Sequence, residues 1–246
     1  MLITTIIDKI FSFIYEQIGV VGEMHHPERK AMVIGATGLV GGILVHSLLE
    51  HPGYSEVRIL VRRRLDLENP RLKQYVVDFE QLKVQGHLFE GINDLYCCLG
   101  TTIKKAGSQE QFREVDFHYP VRAAVLAKQH GVEQMLAISA MGANASSRVF
   151  YSRTKGEMED ALYDIGFRSL HIFRPSLILG NRGEKRFGEE LAAHAMKWLD
   201  RWTPAKYRAV QASTIAQAMR NIAIVQTAGI HVYPNDVIHV VGVQGN

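Results

Sequence analysis

The apolar run Lys30 to Ile34 ends directly on Gly35-Ala36-Thr37-Gly38-Leu39-Val40-Gly41, and a helical stretch follows to about Leu49. Few folds accommodate that order of features. Glycines at steps of three give a tight turn, a close approach of backbone to a phosphate, and close packing of helix on strand. The N–H groups and dipole at the start of the helix then favour a pyrophosphate. Three glycines alone recur by chance too often to carry this reading. Their place between strand and helix makes Gly35 to Gly41 a candidate dinucleotide cradle.

The rest of the chain repeats the same alternation. Strands are expected at Val57 to Val61, Tyr75 to Val77, Leu95 to Leu99, Met135 to Ser139 and Leu170 to Phe173, the last ended by Arg174-Pro175. Helices are expected from about Ser108 to His130 and from Phe150 to Asp164. Apolar strands separated by amphipathic helices imply a mostly parallel sheet covered on both faces, a doubly wound α/β fold. Beyond Gly180 the pattern loosens, with helices around Glu189 to Arg201 and Thr214 to Val225. Residues 30–246 therefore read as one domain, with a small C-terminal cap from about 180 to 246 and substrate-selecting loops from Gly180 to Phe187. Trp198 and Trp202 read as packing residues of that cap.

Residues 1–29 read as a separate amphipathic helix and loop. Leu2, Ile3, Ile6, Ile7, Ile10, Phe13, Ile14 and Ile18 recur at helical steps, with Asp8, Lys9, Ser12 and Glu16 mostly opposite. The charges break any span of roughly 18 apolar residues, so no transmembrane segment is expected. The missing basic start argues against a signal peptide, and no Lys/Arg cluster is available for anionic lipid. The stretch reads as a helix packed on the body of the protein or on a second subunit.

Composition excludes several classes. Apolar residues make up 47% and charged residues 22% of 246, too apolar for a disordered chain. A net charge of +3 without a basic stripe gives no nucleic-acid footprint. The two cysteines, Cys97 and Cys98, are neighbours and form no disulfide framework, which points to a reducing, cytoplasmic setting. The histidines lack ligand spacing, so no metal site is expected.

Two further segments bear on chemistry. The second strand runs into Leu60-Val61-Arg62-Arg63-Arg64, with no acid until Asp66. An NAD site usually carries Asp or Glu there, whereas a guanidinium suits a 2′-phosphate; Arg62 thus favours NADP(H). Tyr151 and Lys155 lie one helical turn apart, where an ammonium can lower a phenol's pKa. Ser139 ends the preceding strand. Hydroxyl, phenol and ammonium at one sheet edge suit carbonyl reduction, with a proton donor beside a hydride donor.

Gly35 to Gly41, Ser139, and Tyr151 with Lys155 occur in an order that resembles the short-chain dehydrogenase/reductase superfamily. Tyr96-Cys97-Cys98-Leu99-Gly100-Thr101-Thr102, Val77-Asp78-Phe79 and Phe173-Arg174-Pro175 resemble more narrowly the Tat-interacting-protein branch of its atypical members. The resemblance implies a Rossmann-like fold in which Gly35, Thr37, Gly38, Leu39 and Val40 wrap the pyrophosphate and Arg62 meets the 2′-phosphate. It implies Asp78 and Phe79 beside the adenine, and Leu99, Gly100 and Thr101 under the nicotinamide-side ribose. Lys155 would bind that ribose, and Pro175 and Leu177 would meet the carboxamide end. Ser139 would orient substrate and Tyr151 would be the acid/base. Asp116 stands where the superfamily often has Asn. The implied activity is an NADP-dependent oxidoreductase acting on a carbonyl or alcohol small molecule. An NADPH-binding regulatory or scaffold protein and a sugar-epimerase-like enzyme stay open, as do a homo-oligomer and a protein partner.

Overall fold

A computed structural model describes residues 28–180 and 204–243 of the chain. The expected N-terminal helix, the helix at Glu189 to Arg201, the loop beyond Gly180, and Trp198 and Trp202 lie outside the described residues. In order, the elements are β1 (Arg29–Ile34), α1 (Leu39–Glu50), β2 (Tyr54–Val61), β3 (Leu72–Val76) and a 3-10 helix (Leu82–Phe89). Next come β4 (Asp94–Cys97), the short helices α2 (Ile103–Ala106) and α3 (Gln109–Arg113), a π-helical turn (Glu114–His118), and α4 (Tyr119–Gln129). Then follow β5 (Gln134–Ile138), α5 (Phe150–Ile165), β6 (Ser169–Arg174), β7 (Ile178–Leu179) and β8 (Val210–Gln211). The described chain closes with α6 (Ala212–Val225), β9 (Gly229–Pro234) and α7 (Asn235–Val243).

Seven strands form one sheet in the order β3-β2-β1-β4-β5-β6-β9, and every pair is parallel. The doubly wound α/β expectation is met. Ala31, Met32, Val33 and Ile34 of β1 are all fully buried because helices cover both faces of the sheet. On one face α1 and α6 close the core through Leu44, Leu48, Ile215 and Met219; on the other, Leu82, Ala123, Ala127, Met158 and Leu162 do so. The chain leaves β1 toward β2 and β3, then returns to place β4 on the other side of β1. That reversal opens a crevice at the carboxyl ends of β1 and β4.

Two expectations need correction. The helix expected from Thr214 in the cap is α6, which lies beside α1 in the sheet's covering layer, with Arg220 Nη1 donating to Ser47 Oγ at 2.9 Å. The helix expected from Ser108 to His130 is broken by the π-helical turn at Glu114–His118. The sheet also gains a seventh strand beyond the six expected: β9 is a mostly exposed edge strand with Gly229 and Pro234 at its ends, and it lacks the continuous apolar run of a central strand.

Candidate dinucleotide-binding and catalytic site

The β1–α1 turn has the shape its glycines require. Gly35 sits at φ +85°, and a Cβ there would lie 2.5 Å from the backbone carbon and oxygen of Cys98. A Cβ on Gly41 would lie 2.2 Å from Gly35 O. Gly38 N–H donates to Gly35 O at 2.9 Å, and Gly38 caps α1 without a side-chain bond. The first helical turn has no acidic side chain. Its N–H groups at Leu39, Val40 and Gly41 therefore face outward without an intrahelical acceptor, as an anion site demands. Thr37 and Gly38 are exposed above them. This glycine-lined cradle between the ends of β1 and β4 fits a nucleotide pyrophosphate. A Gly38→Val side chain would fill it, since even a Cβ there lies 3.1 Å from Gly35 O. Cofactor affinity measured by titration should fall by at least about tenfold, or 1.4 kcal/mol.

On the β2 side, Ile34 pairs with Leu60, which brings Arg62 to the same sheet edge as Gly35. Arg62, Arg63 and Arg64 are all exposed. Asp78 is exposed and turns its carboxylate back to the Glu80 N–H at 2.9 Å. Phe79 is buried, its ring stacked on Tyr119 at 5.3 Å and its carbonyl accepting from Arg122 at 2.7 Å.

Across the crevice, the ends of β4, β5 and β6 bring the remaining candidates together. Ser139 N–H donates to Phe173 O at 2.7 Å, while its buried Oγ has no partner among the described residues. Pro175 is buried and accepts from Met141 N–H at 2.9 Å; Leu177 two residues on is exposed. Leu39 reaches the same side, because a Cβ on Gly180 would meet its Cδ2 at 2.8 Å. Tyr151 lies in the first turn of α5, half-buried, with its ring 5.6 Å from that of Phe112. Lys155, one turn later, is 3% exposed and gives its ammonium to Asp116 Oδ1 at 2.8 Å. Asp116 Oδ2 accepts the Thr101 N–H at 2.8 Å, so one buried carboxylate joins the Leu99–Thr101 loop to α5.

Lys155 lowers the Tyr151 pKa as its place on the helix implies, but burial outweighs that pull. Burial pushes the phenol up; Lys155 pulls it down, and Asp116 pushes it up again, so the net direction is upward. Burial works against the Lys155 ammonium, but Asp116 and Tyr151 outweigh it and raise its pKa. The thiol of Cys97 on β4 is pushed up to about 11 by burial and stays neutral. Asp116 is recognisable in sequence as the residue at the usual Asn place. Its pairing with Lys155 and Thr101 has no local signal, because the three come from separate elements. Among the described residues no cluster of His, Cys, Asp or Glu is arranged to hold a metal, and no helix is long and apolar enough to cross a membrane.

A family model described as NAD(P)H-binding matches residues 35–175. Protein HTATIP2 of Rattus norvegicus is 36% identical over 197 residues, covering 78% of this chain and 80% of that one. Protein FMP52, mitochondrial, of Candida albicans is 31% identical over 200 residues, covering 79% and 87%. Among solved structures, MoeE5 in complex with UDP-glucuronic acid and NAD superimposes with a TM-score of 0.65 at 18% identity, over 84% of this chain and 76% of that one. A UDP-glucose 4-epimerase from Thermotoga maritima gives 0.64 at 15%, over 83% and 75%. At such identities these two show the fold alone. The cytoplasmic expectation does not stand, since the FMP52 relatives from several yeasts are named as mitochondrial. Unpaired cysteines report a reducing environment and not an address. With the glycine cradle, the sheet order and these relatives in agreement, the chain belongs to the NAD(P)H-binding family, in the atypical short-chain dehydrogenase/reductase branch that holds HTATIP2 and FMP52.

Proposed function

We propose that the protein is an NADP(H)-dependent oxidoreductase that interconverts a small-molecule carbonyl and its alcohol. The observation that carries this reading is the buried, unpartnered Oγ of Ser139 at the sheet edge that also bears Tyr151 and Lys155. Gly35, Thr37, Gly38, Leu39 and Val40 would hold the pyrophosphate, and Arg62 the 2′-phosphate. Asp78 and Phe79 would border the adenine, Leu99, Gly100 and Thr101 the ribose, and Pro175 and Leu177 the carboxamide. When bound, the nicotinamide supplies a hydride to the carbonyl carbon. Ser139 donates a hydrogen bond to the substrate oxygen and fixes its direction. Tyr151 Oη gives its proton to that oxygen as the C=O pair moves onto it, leaving an alcohol. Lys155 holds the ribose and lies close enough to stabilise the tyrosinate left behind. Substrate selection falls to the loops after β5 and β6 and to the residues beyond Gly180.

The test is oxidation of NADPH by the purified full-length chain across a panel of aldehydes and ketones. Turnover of a panel member supports the reading. Tight NADPH binding with no oxidation of the cofactor by any of them favours the regulatory alternative. NADPH should bind more tightly than NADH, because a charge-assisted contact is worth roughly 1.5–3 kcal/mol, or about 10- to 150-fold. Titration of both cofactors against wild type and Arg62→Ala checks this. Equal affinities in the wild type remove Arg62 from the site.

A further inference from the structure

Asp116 is more than a substitute at a familiar place. It lies 1% exposed in the π-helical turn Glu114–His118, an element frequent at functional sites. One oxygen holds the Lys155 ammonium at 2.8 Å and the other the Thr101 N–H at 2.8 Å. A buried ion pair with both carboxylate oxygens engaged is costly to assemble, and hydrophobic residues of the same volume would often serve stability as well. Its placement matters for a different reason. It puts a negative charge beside Lys155, the ammonium whose charge acts on Tyr151 from one turn along the same helix. Among the other charged groups on the elements packed here, Arg113 pairs with Glu157, Glu114 lies 3.9 Å from His118, Glu159 holds Arg174, and Arg153 donates to the carbonyls of Ser147 and Arg148. Cys97 on β4 is neutral.

We infer that Asp116 is a positioning residue that locks Lys155 and the Leu99–Thr101 loop into one buried unit and offsets part of the ammonium's charge at Tyr151, adding to burial in keeping the phenol a proton donor. Resting on the oxidoreductase reading, this sets the site for reduction. A carbonyl takes up a hydride from the reduced nicotinamide and a proton from the phenol, giving an alcohol and the oxidised nicotinamide. The reverse direction needs the phenolate as base and therefore rises only toward alkaline pH. Without Asp116 the ammonium would act on Tyr151 undiminished, and both directions would shift to lower pH.

The decisive variant is Asp116→Asn, which keeps the shape and one acceptor while removing the charge. Ionisation of Tyr151 is followed in the full-length protein by NMR of Cζ-labelled tyrosine, the signal being identified by its loss in Tyr151→Phe. In Asp116→Asn the midpoint should fall by about one to two pH units, the size of a nearby charge's effect. The pH profile of alcohol oxidation should move down with it. A midpoint unchanged within about 0.3 units overturns the inference, even if activity drops, because the role would then be structural. If Asp116→Asn does not fold, the double variant Asp116→Asn/Lys155→Met removes both charges together. Its midpoint should lie at or above that of wild type, since the ammonium's downward pull exceeds the carboxylate's upward push, and a fall of more than about half a unit overturns the inference. The titration also separates this inference from the reading beneath it. A midpoint that falls as expected in a protein that turns over no carbonyl sinks the reductase and leaves the role of Asp116 at Tyr151 standing.

Discussion

Replacing Tyr151 with Phe is expected to lower turnover by about 10²- to 10⁴-fold, the usual contribution of a positioned acid, with cofactor affinity and folding unchanged. The ring rests against Phe112 at 5.6 Å, and that contact survives loss of the hydroxyl. The substitution removes one O–H from a half-buried position and leaves no carboxylate or ammonium orphaned, since Lys155 is held by Asp116. Lys155→Met is the less clean experiment for that reason. It would strand a buried carboxylate, and breaking such a pair by removing one partner costs about 3–5 kcal/mol of stability. Loss of activity in that variant would mix chemistry with unfolding. Steady-state kinetics on a carbonyl substrate, with cofactor titration and thermal melting alongside, checks Tyr151→Phe. Full retained activity on a genuine substrate removes Tyr151 from the mechanism. A regulatory protein would instead be indifferent to Tyr151→Phe and would lose its partner with Gly38→Val.

The parts of this protein that were legible in its sequence are those whose physics is local. A glycine that must take φ +85° at Gly35, an apolar strand before it and a helix after it all fall between Arg29 and Glu50. The central strands β1, β4, β5 and β6 stand out because burial on both faces demands unbroken apolar runs. At the edges this signal fades. β9 alternates, with Ile230 and Val232 exposed and Tyr233 buried, and so resembles loop as much as strand. The candidate site divides in the same way. Tyr151 and Lys155 are one turn apart and visible as a pair. The Lys155–Asp116–Thr101 junction joins three elements and depends on a π-helical turn that no residue pattern announces. Likewise, the polar ladder at the amino edge of the sheet looks like scattered polar interruptions of apolar strands. Only the parallel register, with Asp94 opposite Gln134 and Gln134 opposite Ser169, shows that they meet.

That ladder leads to the second large expected effect, a loss of stability in mild acid carried by His171. Gln134 Nε2 donates to Asp94 Oδ1 at 2.7 Å, and Ser169 Oγ lies 3.0 Å from Gln134 Oε1 and 2.7 Å from the Thr227 carbonyl. The single Ser169 proton goes to one of those carbonyl oxygens, so Ser169 Oγ accepts from His171 Nε2 at 2.8 Å. His171 Nδ1 then accepts the Tyr233 hydroxyl proton at 3.0 Å. Every proton is placed with the imidazole neutral, and a second ring proton would point at a hydroxyl already donating. Burial, reinforced by His231 stacked at 5.2 Å, pushes the His171 pKa down to about 3. An unfolded chain protonates the same ring near pH 6.5. Between those values the unfolded state binds the extra proton, so the fold loses stability as pH falls, by up to about 1.4 kcal/mol per unit. About 2 kcal/mol should be gone by pH 5, before most carboxylates titrate. Urea denaturation at pH 7 and pH 5 measures the loss, and His171→Asn should remove most of that difference. If wild type and His171→Asn lose the same stability over this interval, the buried imidazole is not what makes the fold acid-sensitive.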